Sequence, residues 1–305
     1  MSILNPTSDG NIEVLWSVAK FLCQNGPTNF SKLMDTFVVE EPKYFQNTIR
    51  RWDQLGVIVQ DGEEVCLSGD FDEVSILNFE HNFPQILRRQ ILLEKNNPKD
   101  QFFGQELNLA SDFTRMAAWM MLQQPSKFSL IFRKFDTLQT EMNKQLNVVS
   151  SDDAEFINDV RYGQLKRWCN LLGLIQGQSN LEFLDATVAI RSELDPILAK
   201  IADKARQDGD ISLYPARDFM AQLKVQLPVL DGGVYQNRIL SVSRAGMVSI
   251  PSGDTASQVV SLALLRLEKA RLLKLHQRAD ATGIMLEFGE GRTRKLDYIE
   301  RLQNE

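Results

Sequence analysis

The sequence predicts a mainly α-helical protein with small β-hairpins, built as tandem winged-helix (helix-turn-helix) modules around a helical middle region. Three observations predict it. A helix-then-hairpin unit recurs three times along 305 residues. Residues 71–150 keep a helical period. The 43% hydrophobic and 24% charged content is that of a globular chain with several small cores. The corresponding domain reading is an N-terminal winged helix at 1–75, a helical region at 76–148, a second winged-helix-like module at 149–210 and a C-terminal winged helix at 211–305.

The first copy reads KYFQNTIRRWDQLGVI from Lys43 to Ile58, followed by VQDGEEVCLS. Upstream, Val14, Leu15, Val18 and Leu22 give Ile12 to Gln24 a helical face. Gly26-Pro27-Thr28 breaks that helix, and Phe30 to Phe37 makes a short second one. The third helix turns Phe45, Ile49 and Trp52 inward and Lys43, Gln46, Asn47 and Arg50 outward. Long polar side chains on an outward face suit base edges and phosphates, although a solvated face is the commoner reason for such a stripe. Gly56 falls where the helix must end, Val57-Ile58 starts a strand, and Asp61-Gly62 signals a two-residue hairpin.

Residues 71–150 read as helices from Pro84 to Leu93, Ser111 to Gln124 and Ser126 to Leu146, with Ser111-Asp112 and Ser126 as start signals. Phe102, Phe103, Phe113, Met116, Trp119, Met120, Met121, Phe128, Phe132 and Phe135 read as an ordinary helical core. An adaptable partner-binding surface is the sharper alternative.

The second copy reads GQLKRWCNLLGLI from Gly163 to Ile175, followed by QGQSNLEFLD. Its helix, Ala154 to Leu172, would turn Phe156, Val160 and Trp168 inward and leave Arg161, Lys166 and Arg167 outward. Asp152-Asp153 reads as a helix N-cap pair. Asp195 to Arg206 and Tyr214 to Leu230 add helices, with residues 208–213 connecting modules. The third copy reads SLALLRLEKARLL from Ser261 to Leu273, followed by KLHQRADATGIMLEF. Its nearly all-apolar helix, from about Thr255 to Ala270, is suited to burial and not to base reading. Arg278 lies in the hairpin, and Gly291-Arg292-Thr293-Arg294-Lys295 follows its second strand. Flexible Gly beside Arg and Lys suits a phosphate or minor-groove contact.

The formal net charge of −6 argues against indiscriminate nucleic-acid binding. Lys plus Arg against Asp plus Glu runs 5 to 10 over residues 1–70, 9 to 9 over 71–150, 7 to 11 over 151–210 and 13 to 10 over 211–305. Any DNA contact is therefore local, and the C-terminal part is the first place to look. Three scattered cysteines, Cys23, Cys66 and Cys169, read as buried free thiols in a reducing compartment. No apolar run approaches a membrane span, and MSILNPTSDGN lacks a signal-peptide pattern. These features place the protein in the cytoplasm.

Chemistry is not visible. His81 and His276 have no metal-site spacing around them, and His276 reads as a strand residue. There is no GxxxxGKS, GxGxxG or GxSxG pattern, so no cofactor and no enzyme class is expected. Asp35 with Glu41-Pro42-Lys43 has a metal-dependent nuclease composition, but it falls in a helix–helix connection that offers two carboxylates no shared platform. Glu63-Glu64 reads as a solvated hairpin tip.

Several stretches carry a family resemblance: SDFTRMAAW from Ser111 to Trp119, QLKRW from Gln164 to Trp168 with Leu172-Gly173-Leu174, and DATVAI from Asp185 to Ile190. LALLRLE from Leu262 to Glu268, Arg278-Ala279-Asp280 and GRTR from Gly291 to Arg294 complete it. Across roughly 110–295 the chain resembles DpdG, a component of bacterial gene clusters that place 7-deazaguanine derivatives in DNA and restrict unmodified DNA. Ala186 departs from the Pro expected at that position. The resemblance implies a role in phage or plasmid defence alongside other proteins of the cluster, and it supplies no catalytic residues.

The leading expectation is a non-catalytic DNA-binding adaptor subunit of such a restriction or anti-phage complex. It would contact double-stranded DNA through Arg278, Arg292, Arg294 and Lys295, and through Lys43, Gln46, Asn47 and Arg50, with Arg161 and Lys166 available on the second copy. Other proteins of the complex would be partners, with no membrane and no small-molecule cofactor. A protein-only winged-helix scaffold for a partner ATPase or nuclease is the second expectation, and a transcriptional regulator the third. Steep salt dependence separates the first from the second, and sequence preference separates the first from the third.

Overall fold

Asn11 opens the first helix: its side-chain oxygen accepts the Val14 amide at 3.1 Å, so one of the unpaired N–H groups of the first turn is met locally. The computed structural model describes residues 2–5, 11–37, 42–104, 109–147, 157–177, 182–248, 254–278 and 282–302. In chain order the first elements are α1 (Ile12–Asn25), β1 (Thr28–Asn29), α2 (Phe30–Thr36), α3 (Pro42–Gln54), β2 (Ile58–Asp61) and β3 (Glu64–Leu67). Then come α4 (Phe79–Ile91), α5 (Ser111–Met121), α6 (Pro125–Ile131), α7 (Phe135–Gln145) and α8 (Asp159–Leu171). The remainder is β4 (Ile175–Gln176), β5 (Phe183–Leu184), α9 (Thr187–Lys200), β6 (Arg206–Asp208), β7 (Ile211–Pro215), α10 (Ala216–Gln226) and α11 (Val234–Ser241). It ends with β8 (Thr255–Ala256), α12 (Gln258–Lys269), β9 (Leu273–His276), β10 (Ile284–Glu287), β11 (Thr293–Leu296) and β12 (Tyr298–Arg301).

The chain divides into two compact units, one of Met1–Met116 with Val149–Leu172 and one of Ala117–Val148 with Gly173–Glu305. In the first unit, the apolar faces of α1 (Leu15, Val18, Leu22), α2 (Leu33) and α3 (Phe45, Ile49, Trp52) are buried with Val57, Ile58 and Val65 of the sheet β1-β3-β2. Trp52 meets Trp168 of α8 at 5.4 Å between ring centroids. Trp16 packs edge-on to Phe79 and Phe83 at 5.0 and 5.7 Å, an arrangement aromatic quadrupoles favour. Arg88 of α4, 1% exposed, donates to the Leu172 carbonyl at 3.0 Å and so satisfies an acceptor just past the end of α8.

In the second unit, α9 and α12 bury Ile190, Leu194, Ile197, Val260, Leu264 and Leu267, and α10 adds Phe219 and Leu223. An antiparallel sheet of order β6-β7-β12-β9 joins segments distant in sequence, with Ile299 opposite Tyr214 on one side and Leu275 on the other. A second sheet, β11-β10-β8, pairs β10 antiparallel with β11 and parallel with β8.

The tandem winged-helix fold read from the sequence is corrected: the chain is mostly helical with several small sheets, and among the described residues no closed winged-helix or helix-turn-helix topology repeats along it. After α12, β9 does not form a hairpin with β10; it pairs with β12. In the second copy α8 ends in the first unit, whereas β4 and β5, two residues each, belong to the second. The predicted hairpin follows its helix after α3, as β2–β3 around Asp61-Gly62 with β1 added at Thr28–Asn29, and after α8 only as the two-residue antiparallel pair β4–β5. The physical reason is that helix ends and strand starts are encoded locally, whereas a strand's partner is chosen by long-range packing.

Other expectations shift by local amounts. The helix expected from Ser126 to Leu146 is two, α6 and α7, because Lys134 is extended at φ −133°. Tyr214 belongs to β7, and α10 starts after Pro215; residues 208–213 run through the β6–β7 turn. Val160, expected inward, is 66% exposed, and Asn158 caps α8 by accepting from the Arg161 amide at 3.1 Å. The proposed cap at Asp152-Asp153 and the inward Phe156 lie outside the described residues. The Phe- and Met-rich stretch is core: Phe113, Met116, Trp119, Met120 and Met121 are all buried.

Candidate nucleic-acid interface

On α3 the spacing 43, 46, 47, 50 is i, i+3, i+4, i+7, which places four polar side chains on one side while Phe45, Ile49 and Trp52 fill the other. Lys43, Gln46 and Arg50 are exposed and Asn47 is half-buried. None has a side-chain partner among the described residues. The result is a stripe with a cation at each end and two amides between, the groups that meet phosphates and base edges respectively. Its surroundings limit its size: Asp35 on α2 and Asp61, Glu63 and Glu64 at the hairpin tip are exposed acids. Arg51, one residue further on, is buried and donates to Gln54 at 3.0 Å, so it belongs to the core side.

The other cations singled out by sequence are held in place. Arg161 donates from Nε to Asn5 at 2.9 Å and reaches the buried Asp112 carboxylate at 3.4 Å. Lys166 places its ammonium 4.8 Å from the Tyr162 ring centre. Arg278 pairs with Asp208, and its backbone amide donates to Asp297 at 2.7 Å. Lys295 meets Asp297 at 3.2 Å and the Arg278 carbonyl at 3.1 Å, so Arg278 and Lys295 come together around one carboxylate. Arg294 goes elsewhere, because neighbours on a strand face opposite ways. It grips Glu268 with contacts of 2.6 and 3.2 Å and donates to the Leu275 carbonyl at 2.8 Å. Arg292 is exposed, 3.5 Å from Glu290.

Burial works to raise the Glu268 carboxyl, but hydrogen bonds from Arg294 and the Leu275 amide, with the charges of Arg294 and His276, outweigh it and hold the group below its usual range. A lowered folded-state value means that stability from this carboxylate is present above the unfolded-state value and lost as pH falls through the folded one. Arg294→Ala is accordingly expected to cost about 1–3 kcal/mol in a urea titration at neutral pH, since it strands a partly buried carboxylate. The deficit should shrink when the titration is repeated in acid.

Sequence reading passed over three further cations. Lys269, Arg271 and Lys274 are exposed where α12 ends and β9 begins, with no side-chain partner among the described residues. The available signal was Arg271 itself, which stands where the other two copies have Gly56 and Gly173. Elsewhere, His276 sits in β9 with Nε2 2.6 Å from Glu300. Asp35 is exposed on α2, and Glu41 lies outside the described residues. Among the described residues no group of three or more His, Cys, Asp or Glu is placed to hold a metal ion, and no helix is long and apolar enough to cross a membrane.

Fold and surface together define a mostly helical chain of two units with several small sheets and a solvent-facing stripe of amides flanked by cations. A family model described as DpdG-like matches residues 1–281, and the chain belongs to the DpdG-like family, which associates it with DNA-modification and restriction clusters. No curated protein and no solved structure matches it.

Proposed function

We propose that the protein is a DNA-contacting accessory subunit of a bacterial DNA restriction complex, and that it reaches the duplex through the exposed side of α3. Other proteins of the complex supply the cleavage or ATPase chemistry. The observation that carries this reading is the stripe Lys43, Gln46, Asn47 and Arg50, unpaired among the described residues, set against the carboxylate-paired cations of β11 and its neighbours. An unpaired Lys or Arg can exchange counterions with phosphate, whereas Arg294 would first have to leave Glu268. The two cations bracket the amides at a distance of one helical turn, so phosphate contacts position the helix and the amides face the bases.

The test is fluorescence anisotropy of a labelled random-sequence duplex between about 50 and 200 mM salt. The unsubstituted chain is expected to bind with steep salt dependence. Lys43→Ala with Arg50→Ala should weaken binding by about tenfold or more near 0.1 M salt and lower the log–log slope by roughly 1.8, two contacts at about 0.9 each. No binding by the unsubstituted chain at the low-salt end sinks this reading and favours a scaffold that grips protein alone.

A further inference from the structure

The end of α12 differs from the end of α3 in one residue that backbone geometry makes costly. At α3 the Gly56 amide donates to Asp53 and the Val57 amide to Trp52, both at 2.9 Å, with Gly56 left-handed at φ 75°. At α12 the Arg271 amide donates to Glu268 and the Leu272 amide to Leu267, both at 3.0 Å, with Arg271 at φ 56°. Both ends are Schellman caps, and in such caps the left-handed position normally takes Gly because a Cβ there crowds the backbone. The chain uses Gly56 and Gly173 at the first two equivalent helix ends and a long cation at the third. Non-glycine residues held in this region concentrate where the side chain has a task.

The surroundings of Arg271 point to the task. Lys269 precedes it by two residues and Lys274 follows by three, and all three side chains are exposed. Among the described residues, the carboxylates on the elements packed about this corner are engaged. Arg301 holds Asp195 at 2.7 and 3.2 Å while donating to the Leu272 carbonyl at 2.7 Å. Arg294 holds Glu268, and His276 meets Glu300 at 2.6 Å. Arg266 and Lys269, both in the last turn, already face the negative end of the helix, so Arg271 and Lys274 exceed what the helix end requires.

We infer that Lys269, Arg271 and Lys274 form a second contact for the phosphate backbone of DNA, in the second unit, resting on the reading of the protein as a DNA-contacting subunit. The contact is sequence-independent, because three cations without neighbouring amides carry charge complementarity and no base-edge code.

The cap geometry provides an unusual control, since Arg271→Gly relieves the backbone and removes the cation together. On the full chain it is expected to raise Tm by about 2 °C. It should also weaken duplex binding about eightfold near 0.1 M salt and lower the salt slope by about 0.9. Lys269→Ala with Lys274→Ala should lower the slope further without loss of fold by circular dichroism. If both corner variants bind like the unsubstituted chain while Lys43→Ala with Arg50→Ala binds more weakly, the corner is overturned and the α3 reading stands. If the corner variants weaken binding and the α3 pair does not, the corner is supported and the α3 assignment falls. Failure of the unsubstituted chain to bind at low salt overturns both.

Discussion

Trp168→Ala is expected to destabilise the first unit by about 3–5 kcal/mol, which is a large share of the stability of a domain of this size. The indole is fully buried and lies 5.4 Å from the Trp52 ring, so its loss opens a cavity in the centre of the α3–α8 packing. It also has a polar duty. Its Nε1 donates at 3.0 Å to the carbonyl of Ile3, itself fully buried. The segment around Ile3 is fastened on several sides: the Ile3 amide donates to Leu109 at 3.3 Å, Ser2 donates to Asp112, and Asn5 receives Arg161 at 2.9 Å. Removing Trp168 therefore takes away both the filler beneath this segment and one of its anchors.

Urea unfolding followed by circular dichroism measures the loss, and a midpoint shift equivalent to less than about 1 kcal/mol would contradict this packing. Trp168→Phe separates the two contributions. It keeps most of the ring volume and leaves the Ile3 carbonyl without its indole donor, for an expected cost of about 1–3 kcal/mol. Limited proteolysis should show the N-terminal segment becoming accessible in the Ala variant before the rest of the unit.

How far the sequence foretold this architecture depends on the range over which each feature is encoded. The boundaries of α1, α2 and α3 and the β2–β3 turn were all legible, because Asn11, Gly26-Pro27, Gly56 and Asp61-Gly62 act on the backbone within a few residues. The threefold repeat was real, but it is a repeat of helix endings, not of a fold. The Arg-Trp or Arg-Leu step, the left-handed residue and the following apolar pair describe how α3, α8 and α12 stop. Nothing local in Leu272-Leu273 says that the strand they begin will pair with Tyr298–Arg301 and not with Ile284–Glu287. The candidate site divides in the same way. The α3 stripe follows from helical period alone, whereas the engagement of Arg294 depends on Glu268, 26 residues earlier, and became visible only with the fold. Arg271 was legible in principle, as an Arg aligned with two glycines, but its meaning depends on its left-handed φ.

The second large effect is expected at Gln145, where Gln145→Leu should cost the second unit about 2–4 kcal/mol. Gln145 is buried at the end of α7, and its two amide atoms make four hydrogen bonds to three residues. Its Oε1 accepts from Trp119 Nε1 and from Gln123 Nε2, each at 3.0 Å. Its Nε2 donates to Gln123 Oε1 at 2.9 Å and to Glu141 at 2.8 Å. Leu fills nearly the same volume, so the cavity contribution is small and the loss is that of stranded polar groups. Trp119 and Gln123 are themselves buried, and water cannot replace the lost partner without loosening the core. Gln145→Glu tests the assignment of donor and acceptor. A carboxylate can still accept from Trp119 and Gln123, but it cannot donate to Gln123 and it faces Glu141, so this variant should be destabilised at neutral pH. Protonation restores a donor, and its deficit relative to the unsubstituted chain should narrow as pH falls, whereas the Leu variant should show no such recovery. Equal pH profiles for the two variants would mean that Gln145 acts through packing alone.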